Sequence, residues 1–235
     1  MGPVRPLKEM FDAMAERTNL DFWGLTIHHG AEGNPFKGKH LYNYLPVHIQ
    51  SHFIVYRKKF IQSKELQNYW DTMPMIESYT DSVQRYESVF TKQFADKGYQ
   101  WDVYVNTDDL KEFTDYPLLV CPTRLLRDKK CPLFKRRSFM HDFEAYLNDT
   151  AGEPVRELYA YLRDHTDYPL ELIWKNMIRT MHPYDFTRNL GLTRLIPERV
   201  QDEARAAAVR KNRRIALCMH LYFMDMLPQS CAFAA

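Results

Sequence analysis

The stretch HIQSHFIVYRKKF, His48–Phe60, decides how the chain is read. Its second half, Phe53-Ile54-Val55-Tyr56, is the apolar run of an ordinary buried strand. In its first half His48, Gln50 and His52 recur with period two, so in a strand they project from one face. A strand face carrying two imidazoles and a carboxamide is either a solvated outer face or one wall of a polar pocket.

Upstream of it, DFWGLTIHH from Asp21 reads as a short strand, joined by a Gly- and Pro-containing loop. Before that, Leu7, Met10, Phe11 and Met14 fall at i, i+3, i+4 and i+7, which predicts an amphipathic helix. Downstream, Lys64 to Thr72 is a short helix closed by Pro74. The strongest helix follows: Tyr79, Val83, Tyr86, Phe90 and Phe94 step by four, three, four and four, and Gly98 supplies the stop. WDVYV from Trp101 alternates like a strand, and residues 106 to 137 are loop-rich and basic. Pro154 opens a helix carrying Val155, Leu158, Tyr159 and Leu162, and Ile173, Met177 and Ile178 mark another.

The fold class expected is α/β, with one domain over residues 1–197. A basic helical linker over 198–213 and the opening strand of a second domain over 214–235, beginning near Ile215, complete the chain.

With 26% charged and 45% apolar residues, the 235-residue chain has the composition of a globular domain with a sizeable core. A net charge of +2 is too small to imply a nucleic-acid partner. Cys121, Cys131, Cys218 and Cys231 show no CxxC spacing and read as reduced cytosolic thiols. No run of about 18 apolar residues is present to span a bilayer. Seven Lys or Arg against one Asp between Arg124 and Arg137 are compatible with peripheral contact to acidic headgroups, or with phosphate binding.

Spacing disfavours a metal on the histidine strand. Residues four apart in a strand lie about 13 Å from each other at ~3.3 Å per residue, too far for His48 and His52 to share one ion. His28 and His29 point to opposite faces, so no metal ligands are assigned. No GxSxG, GxxxxGK[ST] or GxGxxG motif occurs. Glu87 stands out because it lies beside the apolar stripe of the long helix. A carboxylate there needs either a partner or a task, so capping, ion pairing and general-base catalysis are the readings open to it.

Several blocks in order resemble the rhamnan synthesis protein F family of bacterial glycosyltransferases: GPVRPLKEMFDAM, DFWGLT, HIQSHFIVYRK, RYESVFTKQFADKGY, PLFKRRSF and IALCMHLYF. More widely the resemblance is to GT-A glycosyltransferases, and it implies a mixed sheet flanked by helices. The family's acidic Asn-Asp-Ser/Thr segment, which precedes the Gly-Pro block, has no counterpart here. This suggests a partial GT-A-like domain lacking its nucleotide-binding N-terminal half.

The resemblance implies Glu87 as the catalytic base and Asp21 and Trp23 in sugar recognition. His48, Gln50, Ser51 and His52 would form the polar wall of the substrate pocket, although His52 stands where the family often has an aromatic. Lys135 and Arg136 would neutralise the diphosphate leaving group. The implied donor is dTDP-rhamnose, the implied acceptor a polyprenyl-linked glycan at the cytoplasmic face of the membrane, and the implied cofactor of the complete enzyme Mg²⁺ or Mn²⁺. The alternative reading is a non-catalytic module that binds glycan or a partner transferase.

Overall fold

A computed structural model describes residues 2–33, 35, 41–139, 150, 152–192 and 228. The chain divides into two compact units, residues 1–193 and 194–235. The expected linker over 198–213 and the expected strand over 214–235 lie outside the described residues, apart from Pro228.

The first unit is built on strand β1 (Phe22–Gly24), which is buried along its whole length. It is the middle of a three-stranded mixed sheet. β4 (Ile54–Tyr56) lies antiparallel to it on one side, and β5 (Trp101–Val103) lies parallel on the other. Side chains alternate along a strand, so Phe22 and Trp23 enter opposite layers. Phe22 joins Ile49, Phe60, Leu66, Phe90, Phe94 and Val103. Trp23 joins the larger core, where α1 (Lys8–Ala15) contributes Met10 and Met14 and the helix Glu153–His165 contributes Leu158 and Leu162. Mixed strands with helices on both sides give the α/β fold that the sequence predicts.

Within this frame the expected continuous strand from His48 to Tyr56 is two strands in two sheets. β3 (His48–Ile49) pairs antiparallel with β2 (Ile27–His28), whereas β4 pairs with β1. Gly24 faces Ile54 and Ile27 faces Ile49, so Leu25 and Thr26 on one side stand opposite Gln50–Phe53 on the other. Four residues against two make a bulge, and bulges bend a strand and re-aim its side chains. The backbone at its edges stays paired: Gln50 N–H donates to Thr26 O at 3.1 Å, and Leu25 N–H donates to Phe53 O at 3.2 Å. Gly24 is required at this bend. A Cβ there would meet Ile49 Cγ2 at 2.1 Å and the Phe53 carbonyl oxygen at 3.2 Å.

The long helix is also interrupted. α2 (Lys58–Ile61) and α3 (Lys64–Asp71) are followed by α4 (Tyr79–Ser82), a π-helical turn (Val83–Glu87) and α5 (Ser88–Ala95). Ser78 caps its start by accepting from Asp81 N–H at 3.0 Å. Gly98, in the left-handed region at φ 91°, turns the chain away at its end. The π turn inserts an extra residue per turn, and such turns concentrate at functional sites.

The segment read as loop over 106–137 carries a 3₁₀ turn, Asp108–Leu110, and two short helices, α6 (Pro117–Val120) and α7 (Pro122–Arg127). Pro117 and Pro122 open these helices, because a first-turn proline loses no intrahelical hydrogen bond and its φ is already helical.

Candidate functional site

The strand bulge and the π turn face each other, and Glu87 joins them. Its carboxylate accepts from both the backbone N–H of Ser51, at 3.3 Å, and the Ser51 hydroxyl. Glu87 thus closes the bulge and at the same time stands in the walls of two clefts.

The first cleft offers about 270 Å³, near the lower end of the ~300–1,000 Å³ usual for small-molecule sites. Its walls bring together Glu87, His28, His48, Gln50, Lys135 and Arg137. Tyr79 and Tyr116 also line it. Arg137 is held by Tyr79: it donates to the phenol oxygen at 2.8 Å, and its guanidinium lies 5.3 Å from the ring centroid. Gln50 is anchored through Oε1, which accepts from Thr26 Oγ1 at 2.8 Å.

The two imidazoles of this cleft lie parallel, with centroids 5.1 Å apart and planes 9° from coplanar. Their hydrogen bonds set the tautomers. His28 Nδ1 accepts from Gly30 N–H at 3.0 Å, so the neutral ring carries its proton on Nε2. His48 Nδ1 lies 2.7 Å from the Pro46 carbonyl, which can only accept, so that nitrogen is protonated. Burial first, and then the neighbouring His48, bring the His28 pKa down from 6.5 to about 4. The Lys135 ammonium is also pushed below its ordinary value by burial, an effect opposed by the Glu87 charge.

The second cleft, of about 260 Å³, lies on the other side of Glu87 and Ser51. It is aromatic, with Tyr56, Tyr69, Trp70 and Tyr86 in its walls.

The profile of one protein family, described as rhamnan synthesis protein F (RgpF), matches residues 1–234. The chain belongs to the rhamnan synthesis protein F family. Membership implies a role in rhamnan polysaccharide synthesis. No curated protein and no solved structure matches the chain significantly.

Against this family frame the expected site residues separate into four groups. Glu87, His48, Gln50 and Lys135 meet in the first cleft, and Ser51 lines the second. Asp21 and Trp23 line neither. The Asp21 carboxylate accepts from Gln100 N–H at 2.8 Å and ties the start of β1 to β5. The Trp23 ring packs edge-on to Phe11 at 5.5 Å and is 3% exposed, so it offers no face for a sugar. Arg136 is the third case. It is exposed and points toward Asn176 at 3.4 Å, whereas its neighbour Arg137 faces the cleft. The two sit in a 3₁₀ turn, Arg136–Phe139, where successive side chains lie about 120° apart at three residues per turn. His28, Arg137, Tyr79 and Tyr116 escape a reading by motif because they come from four separate segments of the chain.

The remaining basic residues of 124–137 are largely paired at the surface. Asp109 takes both Arg124, at 2.8 Å, and Lys129, at 2.5 Å, while Arg127 pairs with Asp128 at 2.7 Å. Among the described residues no helix is long and apolar enough to cross a membrane. The donor set of the first cleft does not suit Mg²⁺ or Mn²⁺. Such ions take mostly carboxylate and other oxygen ligands. Here one carboxylate stands beside two cationic side chains, and among the described residues no three or more His, Cys, Asp or Glu are placed so that they could hold one metal ion.

His52 falls within the bulge and, unlike His48 and Gln50, does not line the first cleft. Both its ring nitrogens are buried without a hydrogen-bond partner among the described residues. Burial first, and Lys135 second, bring its pKa down from 6.5 to about 3. Because the unfolded chain binds this proton near pH 6.5, the associated stability is complete above that pH. It is lost as pH falls toward 3. Replacing His52 by Phe removes two unsatisfied polar atoms and should stabilise the fold by about 1–3 kcal/mol at pH 7.5. At pH 5 the advantage should widen by about 2 kcal/mol, because only the wild type still meets this proton linkage. Urea unfolding at both pH values checks this; a variant no more stable than wild type at pH 5 overturns it.

Proposed function

We propose that the chain carries a glycosyl-transfer site, moving rhamnosyl from dTDP-rhamnose to a lipid-carried polysaccharide with inversion at the anomeric carbon. The observation that carries this reading is the meeting of one carboxylate, Glu87, with Lys135 and Arg137 in a single cleft lined by neutral polar groups. A transferase of this kind must accept a proton on one side of the reacting carbon and stabilise a departing diphosphate on the other. In the proposed step the acceptor oxygen forms its bond to the anomeric carbon. The bond from that carbon to the diphosphate oxygen breaks, the hydroxyl proton passes to Glu87, and dTDP leaves. Lys135 and Arg137 face the diphosphate, and Gln50 with His28 Nε2–H supplies neutral hydrogen bonds to the donor. Membership of a rhamnan synthesis family and the mixed sheet flanked by helices support the reading.

Calorimetric titration with dTDP, UDP and GDP tests the donor assignment, with dTDP expected to bind most tightly. Lys135→Ala and Arg137→Ala should each weaken dTDP by roughly 10- to 100-fold, the equivalent of a charged hydrogen bond of about 1.5–3 kcal/mol. Arg136→Ala should change it by less than about threefold, as expected of a surface cation outside the cleft. Equal effects at 136 and 137 contradict the different orientations of the two side chains. A folded chain that binds none of the three nucleotides favours the glycan- or partner-binding module instead.

A further inference from the structure

The second cleft has the opposite character from the first. No Lys, Arg or His is among its described lining residues. Tyr69 stands edge to face against Trp70, centroids 5.4 Å apart at 84°, and against Tyr86, 6.4 Å apart at 77°. The Trp70 ring is 50% exposed, whereas the other large aromatics around it are more covered. Ile54, Met73 and Ile76 add non-aromatic apolar side chains to its lining. Hydroxyls of Ser51, Ser82 and the tyrosines punctuate it. Burial pushes the Tyr56 phenol up to about 12 and the Tyr69 phenol higher still, so both stay protonated donors at neutral pH.

Aromatic rings, apolar side chains and neutral hydroxyls together match a sugar with one apolar edge. Rhamnan is a polymer of rhamnose, a 6-deoxyhexose that carries a methyl group where other hexoses carry a hydroxymethyl. An isoprenoid chain would leave the tyrosine hydroxyls of the cleft buried without partners, which is costly. A phosphate would find no cation among the described lining residues. We propose that this aromatic cleft seats the terminal 6-deoxyhexose of the acceptor glycan, with the sugar on Trp70 and its attacking hydroxyl directed at Glu87. The assignment rests on the glycosyl-transfer reading above, because it makes Glu87 the group at which the donor and acceptor clefts adjoin. It replaces Trp23, which is enclosed in the core, with Trp70 as the sugar platform.

A rhamnose oligosaccharide titrated into the chain is expected to change the tryptophan fluorescence, because Trp70 is the most exposed of the four tryptophans. Trp70→Ala should weaken binding, followed by ligand-observed NMR, at least tenfold. Tyr69→Phe, which keeps the ring and removes only a hydroxyl, should weaken it severalfold and guards against a variant that does not fold. Unchanged affinity in both folded variants overturns the proposal. So does a response to farnesyl phosphate with none to the oligosaccharide. Titration of wild type with dTDP separates the two readings. Oligosaccharide binding that depends on Trp70 but comes without dTDP binding sinks the transferase and leaves the cleft standing. The reverse pattern sinks the cleft alone.

Discussion

Glu87→Gln is expected to lower rhamnosyl transfer by roughly 10²–10⁴-fold, the range general-base catalysis supplies. The substitution isolates the proton acceptor from the structural duty of the same side chain. A glutamine carbonyl oxygen can still accept from the Ser51 N–H and hydroxyl, so the bulge stays closed. Binding of dTDP should be kept or tightened, because the variant removes an anion from the cleft that holds Lys135 and Arg137. The decisive combination is transfer from dTDP-rhamnose to a lipid-carried acceptor, dTDP affinity and urea stability, all measured on one preparation. A fall in turnover with affinity and stability retained supports the base. A loss of less than a few-fold removes Glu87 from the chemistry and leaves it a bulge clamp.

The largest effect on stability is expected at Phe94. Its ring is fully buried, 4.7 Å from Phe90 and 5.0 Å from Phe60 by centroid, and within 6.5 Å of Phe22. Phe94→Ala deletes the ring that ties α5 to β1 through Phe22 and should cost about 3–5 kcal/mol, the transfer loss plus the cavity left behind. That is a large share of a domain stability of about 5–15 kcal/mol. Phe113→Ala, at a ring that is 70% exposed, should stay within about 0.5 kcal/mol. Denaturant unfolding with an unchanged slope checks both. A cost at Phe94 below about 1.5 kcal/mol would mean that the aromatic cluster does not organise this layer.

Glu87 was legible in the sequence because helical periodicity alone sets a carboxylate beside an apolar stripe, where it is anomalous. His48 and Gln50 were legible because two residues sharing a strand face need nothing beyond the period of two. The same rule failed four residues later. The bulge at Gln50–Phe53 changes the direction of the chain, and nothing local in QSHF announces it. It follows from Gly24 allowing Ile49 to approach, and that contact joins residues 25 positions apart. Arg136 and Arg137 could not be told apart from sequence, since a loop without a period gives no face. Asp21 and Trp23 were placed in the pocket by resemblance, yet Asp21 holds the residue before β5 to the start of β1, and Trp23 on buried β1 packs into the core.

The sequence by itself determined the α/β class, the family and the helix that bears Glu87, because hydrophobic periodicity and ordered motif blocks are local signals. The tertiary structure alone decided that Glu87 stands between a cationic and an aromatic cleft. It did so by bringing His28, Tyr79, Tyr116 and Arg137 to one side, and Tyr56, Tyr69 and Trp70 to the other. Those neighbours are set by a two-residue register change and one π turn. Both are small backbone adjustments whose energy comes from packing between distant segments, so no window of the sequence contains them.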